Sequence, residues 1–105
     1  MDNLEESLAA IQKIREEMPE VANAYLNFTE KAKSTEFIDQ KNKSLILLSM
    51  SILSKCEMCI VFNTEAALNE GATKEEILET TMLAVSMGGG PIMMYVKYVM
   101  QIFED

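Results

Sequence analysis

The stretch Leu45-Ile46-Leu47-Leu48-Ser49-Met50-Ser51-Ile52-Leu53-Ser54-Lys55-Cys56-Glu57-Met58-Cys59 decides the fold. Its first nine residues are apolar on nearly every helical face, which predicts a buried central helix starting between Lys41 and Ser44. The run is far shorter than the roughly 20 residues a membrane span needs. The two cysteines that follow open a further helix, from Cys56 to about Glu70, and Gly71 is placed as its left-handed stop.

Toward the C-terminus, Thr73-Lys74-Glu75-Glu76 reads as a capping box. The helix it starts carries Ile77, Leu78, Met82, Leu83 and Val85 and ends at Gly88-Gly89-Gly90. Pro91 then begins a last helix, expected to run unbroken to Phe103. Toward the N-terminus, Lys31 to Lys43 is polar and reads as turn and cap material around a short helical piece. Before it, Val21, Tyr25, Phe28 and Ala32 mark a helix after Pro19. Leu4, Leu8, Ile11, Arg15 and Met18, at steps of four and three, mark an amphipathic one from about Leu4 to Glu17. The expectation is all-α: one domain over residues 1–105, a bundle of five to six helices.

Composition narrows the function classes. With 9 basic and 17 acidic residues the net charge is −8, which argues against nucleic acid and anionic membrane surfaces, both of which select clustered Lys and Arg. The acidic start Met1-Asp2-Asn3-Leu4-Glu5-Glu6 does not resemble a secretory leader, so a cytoplasmic location is expected. There thiols stay reduced, and closely spaced cysteines suggest redox chemistry or metal rather than a structural staple. The last helix leaves only Lys97 and Gln101 polar between Pro91 and Phe103. A domain this small can hardly enclose both that helix and Leu45–Leu53, so a second subunit is expected to cover one of them.

Cysteines three apart at a helix start lie on one face, and a modest rotamer change closes their disulfide. The free amides of the first turn favour a thiolate there. Lys55 adds positive charge and Glu57 opposes it. Other readings of the same spacing are two buried structural cysteines, a surface pair without a task, or half of a zinc site. The last needs a symmetric second subunit, because the chain has no His and no other Cys. No cofactor is called for.

From Lys41 onward the sequence resembles the carboxymuconolactone decarboxylase/AhpD-like family. The likeness rests on Lys43-Ser44-Leu45-Ile46-Leu47-Leu48, Lys55-Cys56-Glu57-Met58-Cys59-Ile60, Ala66-Ala67-Leu68, Gly71-Ala72-Thr73-Lys74-Glu75-Glu76-Ile77 and Gly88-Gly89-Gly90-Pro91. It implies an all-helical AhpD-like fold, homo-oligomers (trimers or hexamers), and thiol-dependent reduction of peroxides by Cys56 and Cys59. A partner dithiol would supply the electrons.

Two positions depart from the family pattern. A Glu twelve residues before the first Cys and a His four after the second form its proton relay; here Ser44 and Asn63 stand there. Neither titrates near neutral pH, so neither can be the base, though both can hydrogen-bond a water or thiolate. The expectation is a dithiol that exchanges with disulfides and reduces peroxide slowly. Its rival is a non-catalytic oligomeric binding or redox-sensing protein, and a lactone decarboxylase would need an acid–base group that a chain without His does not supply. Among nine methionines, Met58, Met82, Met87, Met93, Met94 and Met100 are assigned to core filling. Tyr25, Tyr95 and Tyr98 receive no task.

Overall fold

The computed structural model describes residues 3–104, with side chains from Glu5 onward. The Leu4 position of the first predicted stripe therefore lies outside the described side chains. The chain divides into two units, one ending at Phe37 and one beginning at Ile38.

The first unit is a helical hairpin of α1 (Asn3–Glu17) and α2 (Pro19–Ser34). Pro19 sits at the start of α2, where a missing N–H costs nothing. Acidic Glu5, Glu6 and Glu20 lie in the first turns and Arg15, Lys31 and Lys33 in the last, matching the helix dipoles. No residue of α2 is buried. Leu8, Ile14, Met18, Val21, Tyr25 and Phe28 are exposed, Phe28 by 67 %. The short helical piece expected after it does not form. Residues 35–39 are bends and extended backbone, and the Asp39 carboxylate instead accepts the Asn42 N–H at 2.8 Å as the N-cap of the next helix. A short polar side chain that can satisfy a free amide outcompetes another helical turn.

The second unit comprises α3 (Gln40–Leu53), α4 (Glu57–Asn69), α5 (Lys74–Gly88), the single turn α6 (Gly90–Met93) and α7 (Val96–Phe103). There are thus six helices of two turns or more, and no strand, among the described residues. Helix α3 packs against both α4 and α5, and α4 also against α7. Their shared core is Leu48, Ile52, Ile60, Ala67, Ala72, Ile77, Ala84, Ile92 and Val99. Two buried threonines are satisfied within their own helices: Thr64 donates to the Ile60 carbonyl at 2.7 Å and Thr81 to that of Ile77 at 2.8 Å.

Three sequence expectations need correction. The last helix is broken at Met94–Tyr95. The break lets α6 pack on α5 while α7 packs on α4. The central helix is buried on one side only: Ser44, Leu48, Ser51 and Ile52 face inward, while Ile46, Met50 and Leu53 are exposed. Most methionines do not fill the core. Met50, Met82, Met87, Met93 and Met94 are exposed, Met87 by 81 %. Within one chain these helices have packing partners on a single face, and the methionines sit on the other. Between α3 and α5 this leaves an open groove of about 440 Å³, lined by Leu45, Ile46, Leu53, Leu83, Ala84 and Met87 among others. Among the described residues no helix is long and apolar enough to cross a membrane.

Candidate redox site

The site is a corner between two helices. Helix α3 ends with Lys55 in the left-handed region, φ 58°. The Lys55 N–H bonds the Ile52 carbonyl at 3.0 Å and the Cys56 N–H bonds that of Ser51 at 3.2 Å. These two bonds form a Schellman stop. Helix α4 ends the same way with the residue normally chosen: Gly71 has φ 92° and bonds Leu68, while Ala72 bonds Ala67. A Cβ in the left-handed region costs about 1–2 kcal/mol, so Lys55 is held there by its surroundings.

That stop delivers Cys56 to the next helix. Cys56 is the N-cap of α4, and its Sγ accepts the Cys59 N–H at 3.3 Å. The two cysteines form a disulfide with Cα atoms 5.3 Å apart, inside the usual range for such bonds. Both are half-buried, whereas Lys55 and Glu57 on either side of Cys56 are exposed. Among the described residues, no group of three or more His, Cys, Asp or Glu side chains could hold a metal ion.

Asn63 and Ser44 are placed differently. The Asn63 Nδ2 donates to the Ser51 Oγ at 2.9 Å, and that hydroxyl donates its own proton to the Leu47 carbonyl at 2.6 Å. Because the single hydroxyl proton is used, Ser51 can only accept from Asn63, which fixes which end of the carboxamide faces α3. Ser44 lies on the same buried face of α3, seven residues before Ser51, or about 10 Å along the axis at 1.5 Å per residue. The structure thus brings together Cys56, Cys59, Asn63 and Ser51. Ser51 was not among the residues singled out from the sequence, where a serine between apolar residues looks like helix filler. Its five-residue spacing before Cys56 gives no local signal.

Away from the dithiol, Lys41 Nζ meets Glu76 Oε2 at 2.9 Å and ties α3 to α5. The Thr73 backbone N–H and Lys41 hold the Glu76 carboxyl below its usual range, and the Glu76 carboxylate raises Lys41 above its own.

The sequence pattern of the Carboxymuconolactone decarboxylase family matches residues 19–101. The chain belongs to this family. The match begins at the first residue of α2, upstream of the motifs that start near Lys41. Among solved structures, a carboxymuconolactone decarboxylase family protein from Legionella pneumophila is 34 % identical, with TM-score 0.83 over 95 % of this chain and 89 % of that one. A family member from Thermotoga maritima, for which involvement in an antioxidative response has been suggested, is 26 % identical. Its TM-score is 0.69 over 78 % of this chain and 89 % of that one. An uncharacterised protein of Cupriavidus necator is 28 % identical over 82 % of this chain and 76 % of its own length. The fold is accordingly the all-helical, AhpD-like fold of this family.

Proposed function

We propose that this family member is a thiol–disulfide oxidoreductase that exchanges with disulfides through Cys56 and Cys59 and reduces alkyl hydroperoxides slowly. The observation carrying this reading is the Cys56–Cys59 disulfide at the amino end of α4. Its sulfurs can pair without backbone movement, and helix amides are at hand for a thiolate. The antioxidative role suggested for the Thermotoga relative points the same way. The limit on peroxide chemistry follows from Ser44 and Asn63. A cysteine of ordinary pKa, about 8.5, is only a few per cent thiolate at pH 7. A well-placed general base typically contributes about a hundred- to ten-thousandfold, and neither residue is one.

A cytoplasmic dithiol donor would return the protein to its reduced form, and the working unit is a homo-oligomer, a trimer or hexamer. The α3/α5 groove and the open Ile46, Met50, Leu83 and Met87 support self-association, since large contiguous apolar patches are rare on monomers. The test is turnover with dithiothreitol as donor and either hydroxyethyl disulfide or cumene hydroperoxide as acceptor. Disulfide turnover lost in both Cys56→Ser and Cys59→Ser, with much slower peroxide turnover, is the expected result. Wild-type rates equal to those of the double serine variant would remove the assignment. The uncharged Ser44 and Asn63 then favour the second reading, a redox-inert binding protein on the same scaffold.

A further inference from the structure

The methionines of α5 stand in solvent rather than in the core, and we propose that Met87 is a site of oxidation by hydroperoxides, whose sulfoxide dismantles the self-association surface between α3 and α5. The effect rests on the homo-oligomer reading of this protein and regulates that same assembly. Among the described residues Met87 is the most exposed methionine, at 81 %. It lines the apolar groove of about 440 Å³ together with Leu45, Ile46, Leu53, Leu83 and Ala84. The next residue, Gly88, lies so close to Leu53 that a Cβ there would come within 2.9 Å of it. This seats the end of α5, with Met87, against the end of α3. Leu53 stands three residues before Cys56, so the thioether and the dithiol occupy the same end of the bundle.

A hydroperoxide that outlasts the slow dithiol meets this sulfur in water. The thioether sulfur attacks the outer oxygen of ROOH. The O–O bond breaks as the S–O bond forms, and the proton of the transferred oxygen passes to the departing RO. Sulfur loses two electrons and the peroxide gains them, leaving a methionine sulfoxide and an alcohol, ROH. The step needs no proton acceptor from the protein, so the uncharged Ser44 and Asn63 do not limit it. Oxidation of this kind replaces a flexible apolar side chain with a polar one and disrupts methionine-rich interfaces.

The groove has little to offer the new oxygen. A sulfoxide only accepts hydrogen bonds, and the hydroxyl protons along the groove are already used. Ser49 donates to the Ile46 carbonyl at 2.7 Å and Thr80 to that of Glu76 at 2.8 Å. Asn42, whose Nδ2 donates to Asp39 at 3.2 Å, lines the other end of the groove. Leu53 lies eleven residues further along α3, or about 16 Å at 1.5 Å per residue. Within this chain only water is left to satisfy the sulfoxide, and a second copy seated on the groove displaces it. An acceptor buried without a donor weakens association by about five- to hundredfold. Because the dissociated form is the one that exposes the sulfur, oxidation also draws the equilibrium toward it.

The test treats the disulfide form, in which no thiol remains to react, with tert-butyl hydroperoxide. Peptide masses locate each added oxygen, and light scattering over a dilution series gives the concentration at which the assembly half-dissociates. Two results are expected. Met87 gains an oxygen before the half-buried Met58 and Met100, and the half-dissociation concentration rises about five- to hundredfold. Met87→Leu, apolar but without sulfur, should hold its assembly under the same treatment, and Met87→Gln should come apart without peroxide. Both substitutions fall on an exposed position, and circular dichroism checks that helix content is kept. Three outcomes overturn the site while leaving self-association intact: oxidation of Met87 no earlier than Met58 and Met100, assembly lost equally in Met87→Leu, or assembly retained once Met87 is oxidised. If the untreated protein is a single chain at every concentration, the homo-oligomer reading fails and the control with it. Turnover of hydroxyethyl disulfide reports on the dithiol independently of either result.

Discussion

Lys55 and Ser51 define the behaviour of the dithiol at the scale of single residues. Lys55 adopts a backbone angle that glycine takes freely, and removing its Cβ relieves local strain. Lys55→Gly is expected to stabilise the fold by up to about 1 kcal/mol in urea denaturation. Losing the adjacent positive charge would also slow thiol alkylation slightly. Ser51→Ala deprives Asn63 of its acceptor and is expected to cost about 1–2 kcal/mol by the same measurement, because a half-buried amide donor is left unpaired. The family relay is a separate matter. Ser44→Glu combined with Asn63→His restores groups that titrate in the useful range, and stopped-flow peroxide turnover is expected to rise at least about tenfold. No gain would mean that the chemistry does not pass through these positions. The residue scale is also where sequence reading reached its limit. Cys56 and Cys59 stand out by spacing alone, whereas Ser51 becomes visible only when α3 and α4 meet and its carbonyl and hydroxyl each take a partner from the other helix.

Among the elements, α5 shows how much of its start was written locally. The Thr73 hydroxyl accepts the Glu76 N–H at 3.0 Å and the Glu76 carboxylate accepts the Thr73 N–H at 2.8 Å, the reciprocal pair predicted from four adjacent letters. Thr73→Ala is expected to cost about 1 kcal/mol in urea denaturation. The pH dependence follows from Glu76, whose carboxyl the Thr73 N–H and Lys41 hold below the ordinary carboxyl value of 4.5. A carboxyl lowered on folding contributes stability fully above its unfolded value and loses it as pH falls through and below that range. The urea midpoint should therefore decline below about pH 4.5, and less steeply in Glu76→Gln, which no longer titrates. Lys41, raised above 10.5, contributes fully below that value and loses its part only as pH rises beyond it. The end of α5 was less legible. Three consecutive glycines signalled a stop, but not that a Cβ at Gly88 would overlap Ile92 and come within 2.9 Å of Leu53. Nor did they show that Gly89, at φ 79° and ψ −162°, occupies a region that side chains avoid. The break at Met94–Tyr95 depends on packing partners far along the chain, so a helical pattern unbroken from Pro91 to Phe103 could not reveal it.

For the molecule as a whole, the ordered core is built by the second unit, and the hairpin of α1 and α2 brings apolar residues with no buried position in α2. Truncating the core is expected to be severe: Leu48→Ala or Ile60→Ala removes a fully buried side chain and should cost about 2–5 kcal/mol by denaturation. Charging the open face has a different signature. Met87→Glu with Leu83→Glu places carboxylates on side chains already exposed and should leave helicity intact while lowering the mass seen by light scattering. An unchanged mass would move the self-association surface elsewhere. Apolar patterning in the sequence marks these helices as rich in apolar surface, but not which stripe each leaves exposed, because that depends on how the neighbours share the inside. The corner at Cys56 carries this to long range. One residue closes α3 through its amide and opens α4 through its sulfur, so neither rod can slide or rotate without displacing that sulfur. Thiol reactivity becomes a gauge of how those two rods are seated, and a distant substitution that nudges α3 would register there while the helix content still looked untouched.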